Sequence, residues 1–362
     1  MISSLLYTNL KAQENDSTTL PSKLPPIFSI SSAVQHGFIL AHSPLVENTK
    51  GARPTGLELG LGWQRSDAAA WNLCNCYPRG GLVISYYDYD TKILGRSFSA
   101  AYFLEPNYRL GKRVFFSFKG MAGLAYLTNP FDSLTNHTNQ SYSTTISGYL
   151  LLGLGLSYRL SDHWWLESSV NYQHTSNAGL SQPNKGINWP TAGIGVRYQK
   201  QTRDYYTGNR SKEKFWKNKS PRWDISVFGI LKKGSDVSGN RKRLPLLGLG
   251  VQGSKQVGRI NSLTLGTEIY RDEALRIQLK RDSITASPVK AGILFGHEFL
   301  LGKFIFSQRL GIYLFDQTPY YDRLFHRWGI QYRLNRHWGA GLHLKAHRHV
   351  ADFIDVRLSY SL

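Results

Sequence analysis

The sequence predicts an all-β protein: an antiparallel transmembrane β-barrel of about 16 strands in two repeats of about eight. Two observations carry that expectation. Side chains alternate with a period of two along many short segments, so each segment has one apolar side and one polar or very small side. The polar side combines charge with glycine, as a narrow lumen requires, and aromatic residues collect near the segment ends, as the girdles of a membrane barrel do.

Composition agrees. The 362 residues suffice for one large β domain or two small ones. Lys and Arg number 44 against 24 Asp and Glu, a formal charge of +20. Such an excess implies a polyanionic partner: nucleic acid, an anionic membrane or a phosphorylated lipid. With 21 Tyr, 9 Trp and 34 Gly and no long amphipathic helical pattern, a barrel or sandwich fits better than a helical fold. No apolar run reaches the roughly 18 residues of a membrane helix, but a membrane-spanning strand needs only about ten residues with one apolar face.

In chain order, residues 1–32 read as a signal-peptide remnant and N-terminal tail. A short apolar stub precedes Ala12 as a possible cleavage point, without the basic start and longer apolar core of a full signal. Strands are expected near 33–42, 54–64, 80–88, 97–108, 112–126, 144–159, 163–174 and 191–200, then near 222–232, 244–252, 260–270, 288–299, 303–315, 324–333, 337–346 and 352–362. In the second of these Leu57, Leu59, Leu61 and Trp63 share one face and Glu58, Gly60, Gly62 and Gln64 the other. In the sixth, Ile146, Leu150, Leu152, Leu154, Leu156 and Tyr158 oppose Ser147, Gly153, Gly155 and Ser157. In the last, Ile354, Val356, Leu358, Tyr360 and Leu362 oppose Asp355, Arg357, Ser359 and Ser361. That terminal strand is similar to the C-terminal assembly signal of bacterial outer-membrane proteins, although those usually end in Phe and this chain ends in Leu362.

The connections also sort by length. Those at 109–112, 160–163, 300–303 and 334–337 are tight turns, whereas those near 127–143, 175–190 and 271–287 are long. Short turns at one end and long loops at the other fit the periplasmic and extracellular ends of an outer-membrane barrel. The connections near 66–78 and 201–221 are longer than this scheme prefers. The first contains Cys74 and Cys76, separated by one residue. That is poor spacing for a relaxed disulfide, so two ordinary loop thiols are expected.

The chain repeats one plan. "YRLSDHW" (158–164) returns as "YRLNRHW" (332–338), and "LGLGWQRS" (59–66) as "LGLGVQGS" (247–254). The first copy spans 33–200 and the second 222–362, joined by the basic stretch 201–221, which reads as a solvated linker or as a patch for anionic headgroups. Whether the repeats close as one sixteen-stranded barrel or two tandem barrels stays open, with a slight leaning to the single barrel.

After the shared His-Trp the copies diverge. The first continues into "YQHTSNAGLSQPNKGIN" (172–188). On the strand that delivers it, Trp164, Leu166, Ser168, Val170, Tyr172, His174 and Ser176 share the apolar, lipid-facing side. Polar groups are costly there without a purpose. Residues two apart on a strand stand about 7 Å apart, within reach of a Ser–His nucleophile pair. Glu167 lies on the opposite face. The second copy keeps His347 and His349 near the corresponding place but has no matching Ser and no long loop, so it reads as a degenerate duplicate.

The pattern His-x-Ser-Asn-Ala-Gly, then Pro-Asn-x-Gly, resembles the active-site segment of the PagL-type lipid A 3-O-deacylases, outer-membrane β-barrel esterases. The resemblance covers roughly 33–200. It implies Ser176 as nucleophile, His174 as general base and then acid, and the Gly179 N–H with the Asn184 side chain as oxyanion hole. It makes Asn177, Ala178, Pro183 and Gly186 shapers of the loop. It implies lipid A of lipopolysaccharide as substrate, the Gram-negative outer membrane as location, and neither metal nor organic cofactor. One position departs: the family's third member is Glu, and the match here is Asn188. An amide oxygen can orient the imidazole but carries no charge to stabilise the imidazolium. Two other functions stay open: a structural or transport barrel with a remnant site, and a soluble β protein binding nucleic acid. The second lacks an RNA-binding motif and would expose apolar strand faces to water.

Overall fold

The computed structural model describes residues 24–362 except 209–211, 236–240, 321 and 349. The first repeat forms β1 (Ile27–Gly37), β2 (Thr55–Gln64), β3 (Tyr77–Asp88), β4 (Arg96–Arg109), β5 (Val114–Leu127), β6 (Ile146–Arg159), β7 (Trp164–Ser176) and β8 (Ile187–Gln199). The second forms β9 (Arg222–Ser235), β10 (Arg241–Gln256), β11 (Asn261–Asp272), β12 (Val289–Leu301), β13 (Phe304–Phe315), β14 (Leu324–Arg333), β15 (Trp338–His347) and β16 (Val350–Ser361). Helices α1 (Ala68–Cys74) and α2 (Glu273–Arg281) fill two of the longer connections.

Each repeat closes on itself. β8 pairs with β1 from Ser29↔Gln199 to Gly37↔Thr191, and β16 pairs with β9 from Ser361↔Asp224 to Val356↔Gly229. The ladders therefore make two eight-stranded barrels, not the single barrel towards which the sequence leaned. The 22-residue spacing between Gln199 and Arg222 leaves each repeat free to pair its own first and last strands.

The alternation is the physical reason for both surfaces. On β6 Leu150, Leu152, Leu154 and Leu156 are exposed outward, while Tyr149 and Leu151 are buried inward. An eight-stranded barrel has an interior only wide enough for side chains, and both interiors are filled. In the first, Arg79 and Arg197 both reach Glu167, at 3.2 and 2.7 Å, beneath an aromatic layer of Tyr87, Tyr89, Tyr149 and Trp189. In the second, Glu268 meets Arg327 at 2.6 Å and Lys345 at 3.0 Å. At the short-turn end Trp63, Trp164, Tyr198, Trp223, Trp338 and Tyr360 stand exposed as one girdle.

Three details differ from expectation. β1 begins at Ile27 rather than near 33, so 27–32 belong to the barrel and not to the tail; most of the tail lies outside the described residues. Small Ser29 and buried Ile27 face the lumen, while Phe28 and Ile30 take the outer side. Cys74 and Cys76 form a disulfide. Asn75 between them adopts the left-handed conformation at φ 54°, which folds the chain back and brings the two Cα atoms to 5.1 Å. The 201–221 stretch is only partly solvated. Tyr205 is buried against Tyr77, Phe115 and Trp165 and closes the short-turn mouth of the first barrel.

The barrels also meet. Tyr102 of β4 stacks on Phe304 of β13 with ring centroids 5.4 Å apart. At the short-turn end Arg259 donates to the Asn72 carbonyl at 2.5 Å.

Candidate functional site

Strand register builds the site. In the β7–β8 ladder His174 stands directly opposite Asn188, and in the β6–β7 ladder Ser176 stands opposite Gly148. His174 and Ser176 face outward with exposed Tyr172 and Val170, whereas Gln173 and Thr175 are fully buried in the lumen. The pair is thus at the long-loop end of the apolar outer face, with Leu150 and Leu152 exposed on the neighbouring strand. Glu167 is on the lumen side and held by Arg197, so it cannot serve His174.

His174 Nδ1 is 2.6 Å from Asn188 Oδ1. The position that breaks the expected carboxylate pattern therefore still supplies an oxygen to the imidazole. Ser176 Oγ accepts from the Ala178 N–H at 3.1 Å. No hydrogen bond joins Ser176 to His174 among the described residues. Such bonds are commonly long in a free enzyme and tighten only with substrate.

The loop after Ser176 is held from three sides. Asn177, buried, donates its N–H to Asn184 Oδ1 at 3.0 Å and its side-chain amide to the Ser181 carbonyl at 3.0 Å. Lys185 and Gly186 donate to the Gln140 and Ser141 carbonyls at 3.0 and 2.7 Å. The Leu40 N–H bonds the Asn188 carbonyl at 2.8 Å. Ala178, Gly179 and Gly186 all have positive φ, and the Gln182–Pro183 bond is cis. A Cβ at Gly186 would lie 2.8 Å from His174 Cε1, so the glycine lets the backbone press against the imidazole.

Of the two donors the sequence reading expects for an oxyanion, one is engaged within the loop. The Gly179 N–H is taken by Asn177 Oδ1 at 3.1 Å. The Asn184 bond to Asn177 uses its oxygen, which leaves the side-chain N–H₂ as the available donor. A Cβ at Gly179 would come 3.6 Å from the Asp352 carbonyl, so the start of β16 flanks this loop.

One residue at the site had no signal in the sequence reading. His42, from the segment after β1, contacts Asn188 Nδ2 through its Nδ1 at 2.8 Å. Its neighbours Lys50 and Arg53 line an open groove of about 830 Å³ together with Phe38 and Leu40. In the second barrel His347 faces the lumen and bonds the Tyr313 hydroxyl at 3.0 Å, so it does not reproduce the outward His174. His349 lies outside the described residues.

Residues 55–197 match the family model described as lipid A 3-O-deacylase (PagL), and residues 221–362 match the model described as acyloxyacyl hydrolase, C-terminal domain. No curated protein matches the chain. Among solved structures, the crystal structure of the outer membrane enzyme PagL shares 21% identity over 46% of this chain and 97% of its own, with a TM-score of 0.34. The crystal structure of Neisserial surface protein A (NspA) shares 13% over 48% and 96%, also with a TM-score of 0.34.

Proposed function

The chain resembles the PagL-type lipid A 3-O-deacylases, most strongly in its first repeat, and from that premise we propose that it is an outer-membrane lipid A deacylase releasing the ester-linked acyl chain at the 3-position. The observation that carries the reading is the His174–Asn188 bond at 2.6 Å on the outward face of β7, two residues from Ser176. An ester buried in a lipid leaflet can reach a nucleophile only on that face.

In this reading Ser176 Oγ attacks the acyl carbonyl carbon while His174 Nε2 takes its proton. The resulting oxyanion draws the Gly179 N–H away from Asn177 and gains a second donor from Asn184. Collapse breaks the ester C–O bond, and His174 returns the proton to the departing sugar alkoxide. Water then cleaves the acyl-serine ester by the same route and frees the fatty acid. Lys50 and Arg53 beside the site suit the phosphates of lipid A, and exposed Tyr172, Leu150 and Leu40 suit acyl chains.

The neutral Asn188 favours one alternative, an outer-membrane barrel retaining an inactive remnant of the site. The lipid A mass profile of cells expressing the protein separates the two. Wild type should produce lipid A lighter by one hydroxyacyl chain, and Ser176→Ala and His174→Ala should not. Identical profiles for all three would leave the remnant as the better reading.

A further inference from the structure

We infer that His42 is a positioning residue for the Ser176–His174 pair and acts through Asn188; this rests on the hydrolase reading above. The residues form a continuous chain. His42 Nε2 is 3.0 Å from the Lys185 carbonyl, His42 Nδ1 is 2.8 Å from Asn188 Nδ2, and Asn188 Oδ1 is 2.6 Å from His174 Nδ1.

Proton counting fixes the direction of every bond. A neutral imidazole has one N–H and one lone pair. The Lys185 carbonyl only accepts, so the proton of His42 sits on Nε2. The 3.4 Å contact from Nδ1 to the Leu40 carbonyl is the weaker claim on it. Nδ1 of His42 is then an acceptor and takes an N–H from the Asn188 amide. That turns the Asn188 oxygen towards His174, where it accepts the Nδ1 proton. His174 Nε2 is left with its lone pair, the form a general base needs.

Without His42 the amide has no reason to keep this orientation. Rotated by half a turn, Asn188 would donate to His174 Nδ1 and drive the proton onto Nε2, where it blocks removal of the serine proton. A carboxylate has two equivalent oxygens and no wrong way round. The need for His42 therefore follows from having an amide at position 188.

The test is a double-mutant cycle on the full-length protein in mixed micelles of lipid A and detergent, with fatty-acid release as the readout. We expect His42→Ala to lower kcat about tenfold or more through the tautomer, with KM little changed. His42→Asn, which keeps an acceptor near the Nδ1 position, should recover most of the loss. In an Asn188→Asp background His42→Ala should cost almost nothing. An equal loss in both backgrounds, or no loss in either, would overturn the inference. Nitrogen NMR of His174 gives a readout independent of turnover. The expected signature is an Nδ1–H imidazole in wild type that shifts towards Nε2–H in His42→Ala; an unchanged signature counts against positioning. If wild type releases no fatty acid, the hydrolase reading fails, and the NMR comparison alone still decides whether His42 orients the amide.

Discussion

His174 and Asn188 are direct partners across the β7–β8 ladder, and their side chains meet at 2.6 Å from Nδ1 to Oδ1. For the proposed hydrolysis the pair has its contact in place and lacks a charge. Asn188→Asp keeps the size and adds a carboxylate that stabilises the imidazolium formed during attack. The expected result is a rise in kcat of about tenfold or more with KM nearly constant; the reverse change in a serine protease triad costs about 10⁴. Steady-state fatty-acid release measures it. An unchanged kcat would mean that the imidazolium is not limiting.

Gly186 should be as demanding as the polar residues. It has a φ of 78°, and an added Cβ would lie 2.8 Å from His174 Cε1 and 3.2 Å from the Thr175 carbonyl. Gly186→Ala must shift the imidazole or the loop, and displacements of about 1 Å at a reacting group can cost about 10² in rate. The variant should still fold, since Gly186 lies outside the ladders of the first barrel. Comparing kcat with the yield of folded protein checks both halves of this expectation.

In the proposed reaction Asn184 has two duties that one substitution can separate. Its oxygen holds the Asn177 N–H, and its N–H₂ is the free end. Asn184→Asp retains the acceptor and removes the donor. Loss of one oxyanion donor costs about 10²–10³ in kcat, so Asn184→Asp should fall into that range with KM largely preserved. A small loss for Asn184→Asp together with a large one for Asn184→Ala would assign the residue to loop shape alone.

Much of this was legible because a membrane outside and a narrow lumen inside impose the same two-residue rhythm on every strand. Where the rhythm is broken by small residues it misled: Ser29, Ser31 and Ser32 hid the start of β1, and the run Phe38–Leu40 pulled the expected strand forward. His174, Ser176 and Asn188 could be read locally, since one strand and its following loop carry them. His42 could not. It is 146 residues from Asn188, and only closure of β1 against β8 brings it there. The disulfide escaped for a similar reason, because it depends on the left-handed backbone of Asn75 rather than on spacing.

Within the lumen of the second barrel, loss of Glu268 should cost more than loss of Glu298. Glu268 is fully buried and lies 2.6 Å from Arg327, 3.0 Å from Lys345 and 3.7 Å from Arg357. Glu268→Gln keeps the shape but leaves excess positive charge in a closed interior. Breaking a buried ion pair by removing one partner costs about 3–5 kcal/mol. The temperature at which the compact, detergent-resistant form unfolds on a gel should drop clearly, while Glu298→Gln near the short-turn end, where Arg222 keeps Asp224 as a partner at 2.8 Å, should move it less.

Two separate closures also make a prediction about the connection between the repeats. The β8–β1 and β16–β9 ladders need no strand from the other half. A protease site inserted after Thr207, beyond the buried Tyr205, can therefore be cut without opening either sheet. After cleavage both fragments should stay in the membrane fraction, and each should keep its heat-dependent shift in gel mobility. They should also remain associated if the Tyr102–Phe304 stack and the Arg259–Asn72 bond hold the barrels together. One sixteen-stranded barrel behaves differently: its halves would share two ladders, so neither fragment would show a compact form of its own once they were separated.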